Sequence, residues 1–374
     1  MKISCGKVLL TAWILSATFA NASAQQKEIK AVMTAENWQF EPGQVEFLKE
    51  QGKPVMKLLK SRATWKGVDF ATGTLSFDIW PGDPDFVSCY FREQSIDERE
   101  CFYFRTSFAG NPDGYQGIQY APFLNGVNLW DLLPEYQTGA TFSKNQWNHV
   151  KMVISEKQMR VFINDMHAPA LVVPHLEGNT THGGISFEGQ ALLTNLTILP
   201  GAIEHLPNEP GFDITDNDAR YIRKWETLKE YKLPGSTDFD ASWYPDSSAT
   251  WEPITTERKG MINLTRKVGI NHTRKITWLK TTITADAACT RTLRLGFSDD
   301  IWVFVNKQLT YVDKNIYGSP MAKSPEGRIS LDNGFLELPL QTGRNEIMIA
   351  LASNFYGWGL IARFDKNEGI HLIR

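Results

Sequence analysis

Cysteine is scarce in this chain of 374 residues, which has only four. Cys5 lies in a predicted signal peptide, so Cys89, Cys101 and Cys289 would remain, and an odd number excludes a complete disulfide framework. Cys89 and Cys101 flank a predicted hairpin, and if its tip centres near Ser95 the two thiols face each other. The sequence leaves two alternatives open for this pair: a disulfide bridge or two half-buried thiols.

An excess of charge of one sign is also lacking. The 39 Lys and Arg residues oppose 42 Asp and Glu residues, which gives a formal net charge of -3. This balance argues against nucleic acid or an anionic membrane as the main partner. The longest apolar segment, Val8–Phe19, is shorter than the roughly 20 residues that cross a bilayer as a helix, so we expect no membrane span.

The N-terminus instead has the pattern of a cleaved secretory signal peptide. Lys2 and Lys7 precede the apolar segment, and Ala22-Ser23-Ala24 is a small-residue cleavage site. We expect residues 1–24 to be removed and the chain to be periplasmic or secreted. The oligomeric state is left open.

Motifs of the common catalytic machineries are missing. There is no G-x-S-x-G nucleophile motif, and the seven histidines include no i,i+4 pair and no H-E-x-x-H zinc motif. We expect no cofactor, and the sequence leaves open whether oxygen-rich loops hold a structural calcium ion. Its candidate ligands are Asp83, Asp85 and the pair Asp299-Asp300.

Alternation of apolar and polar residues dominates the rest of the chain, and turn signals separate the alternating segments. Many short strands with frequent turns predict an all-β fold of two antiparallel β-sandwich domains. A Pro/Gly-rich and acidic connection predicts a boundary, with domains at 25–205 and 225–374 and a linker at 206–224. One weak helix candidate covers 216–231, although Ile222, Trp225 and Leu228 could equally belong to an extended linker strand. The clearest alternating segments are Leu75–Ile79, Val150–Ile154, Met159–Ile163, Leu293–Phe297, Ile301–Val305, Phe335–Leu340 and Glu346–Leu351.

Residues 100–131 are rich in aromatic and amide side chains and poor in aliphatic ones. That mixture suits a cleft that stacks against sugars and hydrogen-bonds to them. Alternation puts Tyr103 and Arg105 on one face of a strand and two phenylalanines on the other. Arg105 would bind sugar hydroxyls or a carboxylate, or else form an internal ion pair with Glu93, Asp97 or Asp131.

Further candidates for ligand binding follow in the same tract and near the C-terminus. Gln119 and Tyr120 alternate, so one of them faces the groove, and Asn125 is a third polar candidate. Trp130 is either a stacking platform or a core residue. In a later polar-aromatic loop, Tyr356 and Trp358 are binding candidates, although Trp358 could instead close the core while Gly357 and Gly359 make the bend.

Longer patterns resemble known folds. NQWNHVKMVISEKQMRVFIND and GGISFEGQALLTNLTI resemble the end of a concanavalin A-like (laminin-G-like) jelly roll. Within that superfamily, residues 33–200 are similar to the 3-keto-disaccharide hydrolase domain of secreted bacterial proteins, on GTLSFDIW, FRE, FYFR and QYAP. Residues 225–374 resemble a galactose-binding-like jelly roll, on WEPI, GMINLTR, LRLGFSDDIWVFVNKQLTY, LPLQTGRNEIMIAL and GWGLIARF.

The resemblance implies a ligand on the concave sheet of the first sandwich. Laminarinase-type enzymes of this fold carry E-x-D-x-x-E, which this chain lacks, and standard glycoside hydrolysis needs two carboxylates. Glu93 and Glu100 remain as single-base candidates for a non-standard reaction such as elimination from a 3-keto sugar. The leading hypothesis is a secreted protein that binds oligo- or polysaccharide in glycan utilisation. The alternatives are a glycoside hydrolase-like enzyme and a structural or adhesion module that binds protein.

Overall fold

The computed structural model describes residues 27–50, 52–82, 86–233, 238–269 and 273–372. The predicted signal peptide and two of the calcium candidates, Asp83 and Asp85, lie outside these ranges. The described residues form two antiparallel β-sandwich domains, as the alternation predicts. Within them no helix is long and apolar enough to cross a membrane.

The first sandwich contains the strands before residue 201. In chain order they are β1 (Ile29–Lys30), β2 (Trp38–Phe40), β3 (Val45–Glu50), β4 (Lys53–Trp65), β5 (Gly73–Pro81), β6 (Phe86–Glu93), β7 (Glu100–Arg105), β8 (Ile118–Tyr120), β9 (Phe123–Leu124), β10 (Val127–Asn128), β11 (Gln137–Thr138), β12 (Asn148–Ile154), β13 (Met159–Ile163), β14 (Leu171–Val173) and β15 (Gly184–Pro200).

One long strand, β15, belongs to both layers of this sandwich. Its first part pairs with β6, which continues through β7 and β8 to β11, and its second part pairs with β5, which continues through β12 and β13 to β14. The pairing register shifts between Gly189 and Gln190, where the strand passes from one layer to the other. Phe77 and Phe187 then meet edge to face, 5.0 Å apart, in the core between the layers.

The second sandwich contains the strands after residue 223 and the α-helix α1 (Leu264–Val268). In chain order the strands are β16 (Lys224–Thr227), β17 (Tyr231–Lys232), β18 (Glu252–Thr255), β19 (Met261–Asn263), β20 (Lys275–Ala285), β21 (Cys289–Phe297), β22 (Asp299–Val305), β23 (Gln308–Asn315), β24 (Gly334–Leu340), β25 (Gly343–Ser353), β26 (Gly359–Phe364) and β27 (Ile370–Leu372).

Two sheets make up this second sandwich. One runs β18-β16-β20-β25-β22-β23, with β17 and β27 also paired to β20, and the other runs β19-β26-β21-β24. Of the two alternatives for 216–231, the helix is not formed, because these residues contain β16 and the start of β17. Residues 201–223 contain no strand, and the predicted linker 206–224 overlaps this stretch.

The two sandwiches pack directly on each other. Met261, Ile329 and Ile361 of the second sandwich join the apolar core cluster of the first. Asn125, a predicted ligand-binding residue, donates from Nδ2 to the carbonyl oxygens of Thr265 and Arg266 in α1, at 3.3 and 3.0 Å. Asn125 therefore ties the two domains together.

Of the two alternatives left open for Cys89 and Cys101, the disulfide bridge is not formed. In the hairpin of β6 and β7, Cys89 pairs with Phe102 and Cys101 pairs with Tyr90, so the tip lies between Ser95 and Ile96. A shift of one residue moves a strand's side chains to the opposite face. Cys89 therefore points into the core and Cys101 points away from it, and both are free thiols.

Candidate functional site

The strands β6, β7 and β8 present two different faces. Phe102 and Phe104 of β7 point inward and belong to the main core of the first sandwich. Tyr103 points outward and belongs to a separate small cluster on the other side of the sheet. Gln119 of β8 pairs with Tyr103 across the strands and lies on this outer face too.

Four polar residues form a connected network on this outer face. Arg105 donates from Nη1 to the carbonyl oxygen of Gln116 at 2.9 Å. Its Nη2 donates to the Tyr103 hydroxyl at 2.9 Å and to Gln119 Oε1 at 2.6 Å. The Tyr103 hydroxyl in turn donates to Gln119 Oε1 at 2.7 Å. We call Tyr103, Arg105, Gln116 and Gln119 the outer-face network.

The internal ion pair considered for Arg105 is not formed. Glu93 is instead held by Arg62, by Arg99 at 3.1 Å and by the Ser186 hydroxyl at 2.6 Å. None of the carboxylates in the described part of the chain lies within ion-pair distance of Arg105. Arg105 is only 8% exposed, and its guanidinium is held by neutral groups alone.

Trp130 connects this network to the second sandwich. Its carbonyl oxygen accepts from Gln119 Nε2 at 2.7 Å. Its ring contacts Tyr317 edge to face at 4.8 Å and Tyr356 at 5.8 Å. Phe355 stacks on Tyr317 at 5.7 Å and contacts Tyr356 at 4.4 Å. We call Trp130, Tyr317, Phe355 and Tyr356 the junction cluster.

The four rings of the junction cluster differ in exposure. Trp130 is 9% exposed, whereas Tyr317, Phe355 and Tyr356 are 46%, 41% and 51% exposed. Trp130 is therefore the largely buried base of the cluster. The sequence left open whether it is a stacking platform or a core residue, and its position is intermediate between the two. The three half-exposed rings above it all come from the second sandwich and form an aromatic surface beside Trp130 of the first.

Buried carboxylates hold both ends of the loop that carries Phe355 and Tyr356. Asp299 Oδ2 accepts from the backbone amides of Asn354 and Phe355 at 2.6 and 3.1 Å. Asp131 Oδ2, from the first sandwich, accepts from the backbone amide of Gly357 at 3.1 Å. Burial raises the pKa of Asp131 to about 7, although the backbone amides that it accepts from lower it.

A second arginine lies against the junction cluster. The Arg328 guanidinium lies 4.8 Å from the centre of the Trp130 ring, donates to Gln137 Oε1 at 3.1 Å and pairs with Glu326 at 3.4 Å. Glu326 also accepts from Gln116 Nε2 at 2.5 Å. The buried outer-face network and the partly exposed junction cluster are thus connected to each other, and we call them together with Glu326 and Arg328 the junction site.

The candidate bases Glu93 and Glu100 are not part of the junction site. Glu93 is occupied by two arginines and a serine, as described above. Glu100 lies on the inner face of β7, fully buried, and accepts from the Tyr120 hydroxyl at 2.6 Å. Burial raises the pKa of Glu100 to about 7, while the hydrogen bond from Tyr120 lowers it. The sheet separates this carboxyl from the outer face.

Three other predicted ligand-binding residues lie away from the junction site. Tyr120 is fully buried on the inner face of β8, so Gln119 is the member of that pair that faces outward. Trp358 is buried in the core of the second sandwich, where its backbone amide donates to the Thr265 hydroxyl at 2.8 Å. Asn125 joins the domains through α1. The structure therefore brings together Tyr103, Arg105, Gln119, Trp130 and Tyr356 from the predicted set.

The remaining calcium candidates have protein partners. Asp299 caps the loop before Tyr356, and Asp300 pairs with Arg274. Across the described ranges, no group of three or more His, Cys, Asp or Glu side chains is arranged to hold a metal ion.

Tyr317, Glu326, Arg328 and Gln116 were missed by sequence reasoning. Tyr317 and Arg328 lie in the loop between β23 and β24, which shows neither alternation nor a motif. Phe355 belongs to the polar-aromatic loop, but nothing in the sequence pairs it with Tyr317, on which it stacks. The contacts of Tyr317, Tyr356 and Arg328 with Trp130 arise from the packing of one domain on the other, which no local pattern reports.

No family model and no curated protein matches the chain. It is similar to a carbohydrate-binding module from Bacillus subtilis at 12% identity, over 43% of this chain and 95% of that one, with a TM-score of 0.33. It is also similar to domain 4 of an extracellular arabinanase from Geobacillus stearothermophilus, in complex with arabinotriose, at 12% identity over 44% and 83% of the chains, with a TM-score of 0.31.

A galectin from Caenorhabditis elegans is a third similar structure, at 14% identity over 44% of this chain and 97% of that one, with a TM-score of 0.27. Likenesses of this strength carry no conclusion about what this protein binds, and fold by itself does not fix function. The function has to be argued from the site.

Proposed function

We propose that the protein binds carbohydrate at the junction site. The observation that carries the proposal is the junction cluster, in which the half-exposed rings of Tyr317 and Tyr356 contact Trp130 and that of Phe355 packs on both, beside a buried polar network. The apolar C–H faces of sugar rings pack on aromatic faces, and sugar hydroxyls need donors and acceptors at the edge of such a surface. Arg105 supplies donors beyond those used within the outer-face network, and the half-exposed Glu326 side chain supplies an acceptor.

The backbone of Tyr356 supports the same proposal. Its φ is +56°, a conformation that is unusual for a bulky residue and costs on the order of 1–3 kcal/mol. Asp299 and Asp131 hold the loop in this conformation from both ends. Strain of this kind is characteristic of functional sites, and here it keeps the Tyr356 ring on the surface.

Binding is favoured over catalysis because neither candidate base is available at the junction site. Glu93 is occupied by Arg62 and Arg99, and Glu100 is buried on the other side of the sheet. The resemblance to the 3-keto-disaccharide hydrolase domain stays a prediction. We further propose, from the signal-peptide pattern, that the protein is exported and serves in the use of polysaccharides or glycans.

A glycan array combined with analysis of reducing ends tests this proposal. We expect the purified protein to retain at least one oligo- or polysaccharide without producing new reducing ends. The double variant Phe355→Ala/Tyr356→Ala should lose that retention. The matched control is Phe335→Ala, which removes a ring that is 62% exposed on β24 and has no ring contact with the junction cluster.

Three results would contradict the proposal. New reducing ends would point to the hydrolase-like alternative. Retention that survives in the double variant would place the sugar elsewhere on the protein. The absence of retention on any glycan would leave the protein-binding alternative as the hypothesis to pursue.

A further inference from the structure

Arg105 is a cation without a counterion. Its neighbours are a backbone carbonyl, a phenol and an amide oxygen, and no described carboxylate reaches it. Those three contacts use three of the five N–H donors of a guanidinium. Two donors of Arg105 therefore have no acceptor among the described residues.

A buried charge without a partner is costly, and this cost is visible at Arg105. Burial lowers the pKa of the guanidinium and the nearby Arg328 lowers it further, while Tyr103 and, to a smaller extent, Tyr317 and the more distant Glu326 carboxylate raise it. Charges taken out of water are normally paired or bound to a ligand of opposite sign. Holding Arg105 at this position is therefore explained if the ligand brings the missing negative charge.

Arg328 adds a second positive charge to the same surface. It lies over Trp130, and its Nε is buried without a hydrogen-bond partner. Its carboxylate neighbour, Glu326, has a side chain that is largely in solvent. Asp131, the other acidic residue near Arg328, is committed to the Gly357 amide. Of the two arginines of the junction site, Arg328 thus pairs with the half-exposed Glu326, whereas Arg105 pairs with no described carboxylate.

The geometry points to an acidic sugar as the ligand of the junction site. We propose that a carboxylate-bearing sugar residue, of the uronic acid class, pairs with Arg105 while the neighbouring rings stack on Tyr317, Phe355 and Tyr356. This inference rests on the proposed carbohydrate binding and narrows it to one class of glycan. Arginine suits this task because its planar fork matches the two oxygens of a carboxylate.

The test compares each acidic glycan with its own uncharged form. Oligomers of galacturonate, glucuronate and mannuronate are titrated into the protein beside their fully methyl-esterified counterparts, together with a panel of neutral oligosaccharides. We expect at least one acid to bind about tenfold or more tightly than its ester, because a charge-assisted hydrogen bond is lost on esterification. Added salt should weaken the binding of the acid and leave the binding of the ester unchanged.

Two variants assign the effect to Arg105. Arg105→Gln should remove the preference for the acid over its ester, whereas Arg105→Lys, which keeps the charge, should retain part of it. If Arg105→Gln does not fold, the comparison of acid and ester in the unaltered protein still decides whether the ligand is an acidic sugar.

The outcomes separate this inference from the proposed function. Equal affinity for acid and ester, or tight binding of neutral oligosaccharides alone, overturns the acidic-sugar inference and leaves carbohydrate binding intact. Failure of every acid, ester and neutral oligosaccharide to bind overturns both. A preference for the acid that persists in Arg105→Gln overturns the role of Arg105.

Discussion

Two aromatic clusters of this protein are built from the same kinds of residue, but one stays partly exposed to solvent and the other is covered. The junction cluster leaves Tyr317, Phe355 and Tyr356 about half exposed. A second set of rings, which we call the covered cluster, lies on the β20-β25-β22 sheet and is closed over by the chain itself. Its members are Phe239, Trp243, Tyr244, Trp278, Trp302 and Phe304.

The difference lies in what covers the rings. Trp278 and Trp302 are buried because Phe239 and Tyr244, from the segment before β18, pack on them at 5.3 to 6.2 Å. The Trp278 indole N–H is also satisfied, by the Tyr231 hydroxyl at 3.1 Å. Aromatic content alone therefore does not mark a binding surface. A sheet that its own chain covers contributes stability, and rings that stay open remain available to a ligand.

The largest expected effect is on the covered cluster. Trp278→Ala should lower the free energy of unfolding by about 3–5 kcal/mol, because it removes a fully buried indole and leaves a cavity. Chemical denaturation measures it. At temperatures where the variant is folded, glycan affinity should be unchanged. A loss of affinity without a loss of stability would reverse the roles of the two clusters.

The next effect concerns the attachment of the junction cluster. In Gly357→Ala the new Cβ would lie 2.5 Å from Leu132 Cγ and 2.6 Å from Asp131 Oδ1. We expect a loss of about 1–3 kcal/mol in the free energy of unfolding from this overpacking, with weaker glycan binding. Gly184→Ala is the matched control, because its nearest contact would be 3.6 Å. Equal behaviour of the two variants would show that the junction tolerates displacement.

Of the two clusters, the junction cluster should also be the one whose surroundings make stability depend on pH. The pKa of Asp131 is about 7 in the fold, above its ordinary value of 3.8. The unfolded chain therefore releases this proton first, and stability falls as pH rises between about 4 and 7, by up to roughly 1.4 kcal/mol per pH unit. Above pH 7 the contribution of Asp131 to the free energy of unfolding no longer changes with pH.

Asp131→Asn should flatten that slope, as measured by urea unfolding at pH 5 and pH 8. Part of the slope should remain, because burial also raises the pKa of Asp299 and Glu100. A slope identical to that of the unaltered protein would mean that Asp131 titrates normally. A steeper slope in the variant would mean that Asp131 stabilises the fold as pH rises, the opposite of the expected direction.

The smallest expected change in stability is at Tyr356, the most exposed ring of the junction cluster. Tyr356→Gly should keep the free energy of unfolding within about 1 kcal/mol of the unaltered protein, because glycine adopts a φ of +56° without strain. Glycan affinity should fall by about tenfold or more, which corresponds to about 1.4 kcal/mol. Tyr356→Ala should lose the same affinity and be less stable than the glycine variant. Unchanged affinity in both would remove Tyr356 from the site.

Local pattern predicted much of the fold. Segments such as Met159–Ile163 and Ile301–Val305 alternate clearly and are strands. The same alternation placed Tyr103 and Arg105 on one face, because side-chain direction in a strand repeats every two residues. The failure at Cys89 and Cys101 has the same origin, since an error of one residue in the hairpin tip reverses the faces.

The junction site could be predicted only in part. Alternation predicts the face of the strand on which Arg105 lies, but it does not predict the residues that Arg105 contacts. It also could not decide whether Gln119 or Tyr120 faces outward. Tyr317 and Arg328 come to Trp130 through contacts between domains, which are set by the packing of two preformed surfaces. The helix α1, held by an Asn263 side chain that accepts from the Arg266 amide at 3.0 Å, was likewise invisible to periodicity because it is so short.

Hydroxyl-radical footprinting with a bound oligosaccharide compares the two clusters most directly, because it reports the accessibility of aromatic side chains in one experiment. If the protein binds carbohydrate at the junction site, labelling of Tyr317, Phe355 and Tyr356 should fall in the presence of the ligand, while labelling of Phe239 and Trp243 stays the same. Protection of Phe239 and Trp243 without protection of the junction cluster, in a sample where the ligand is bound, would contradict the proposal.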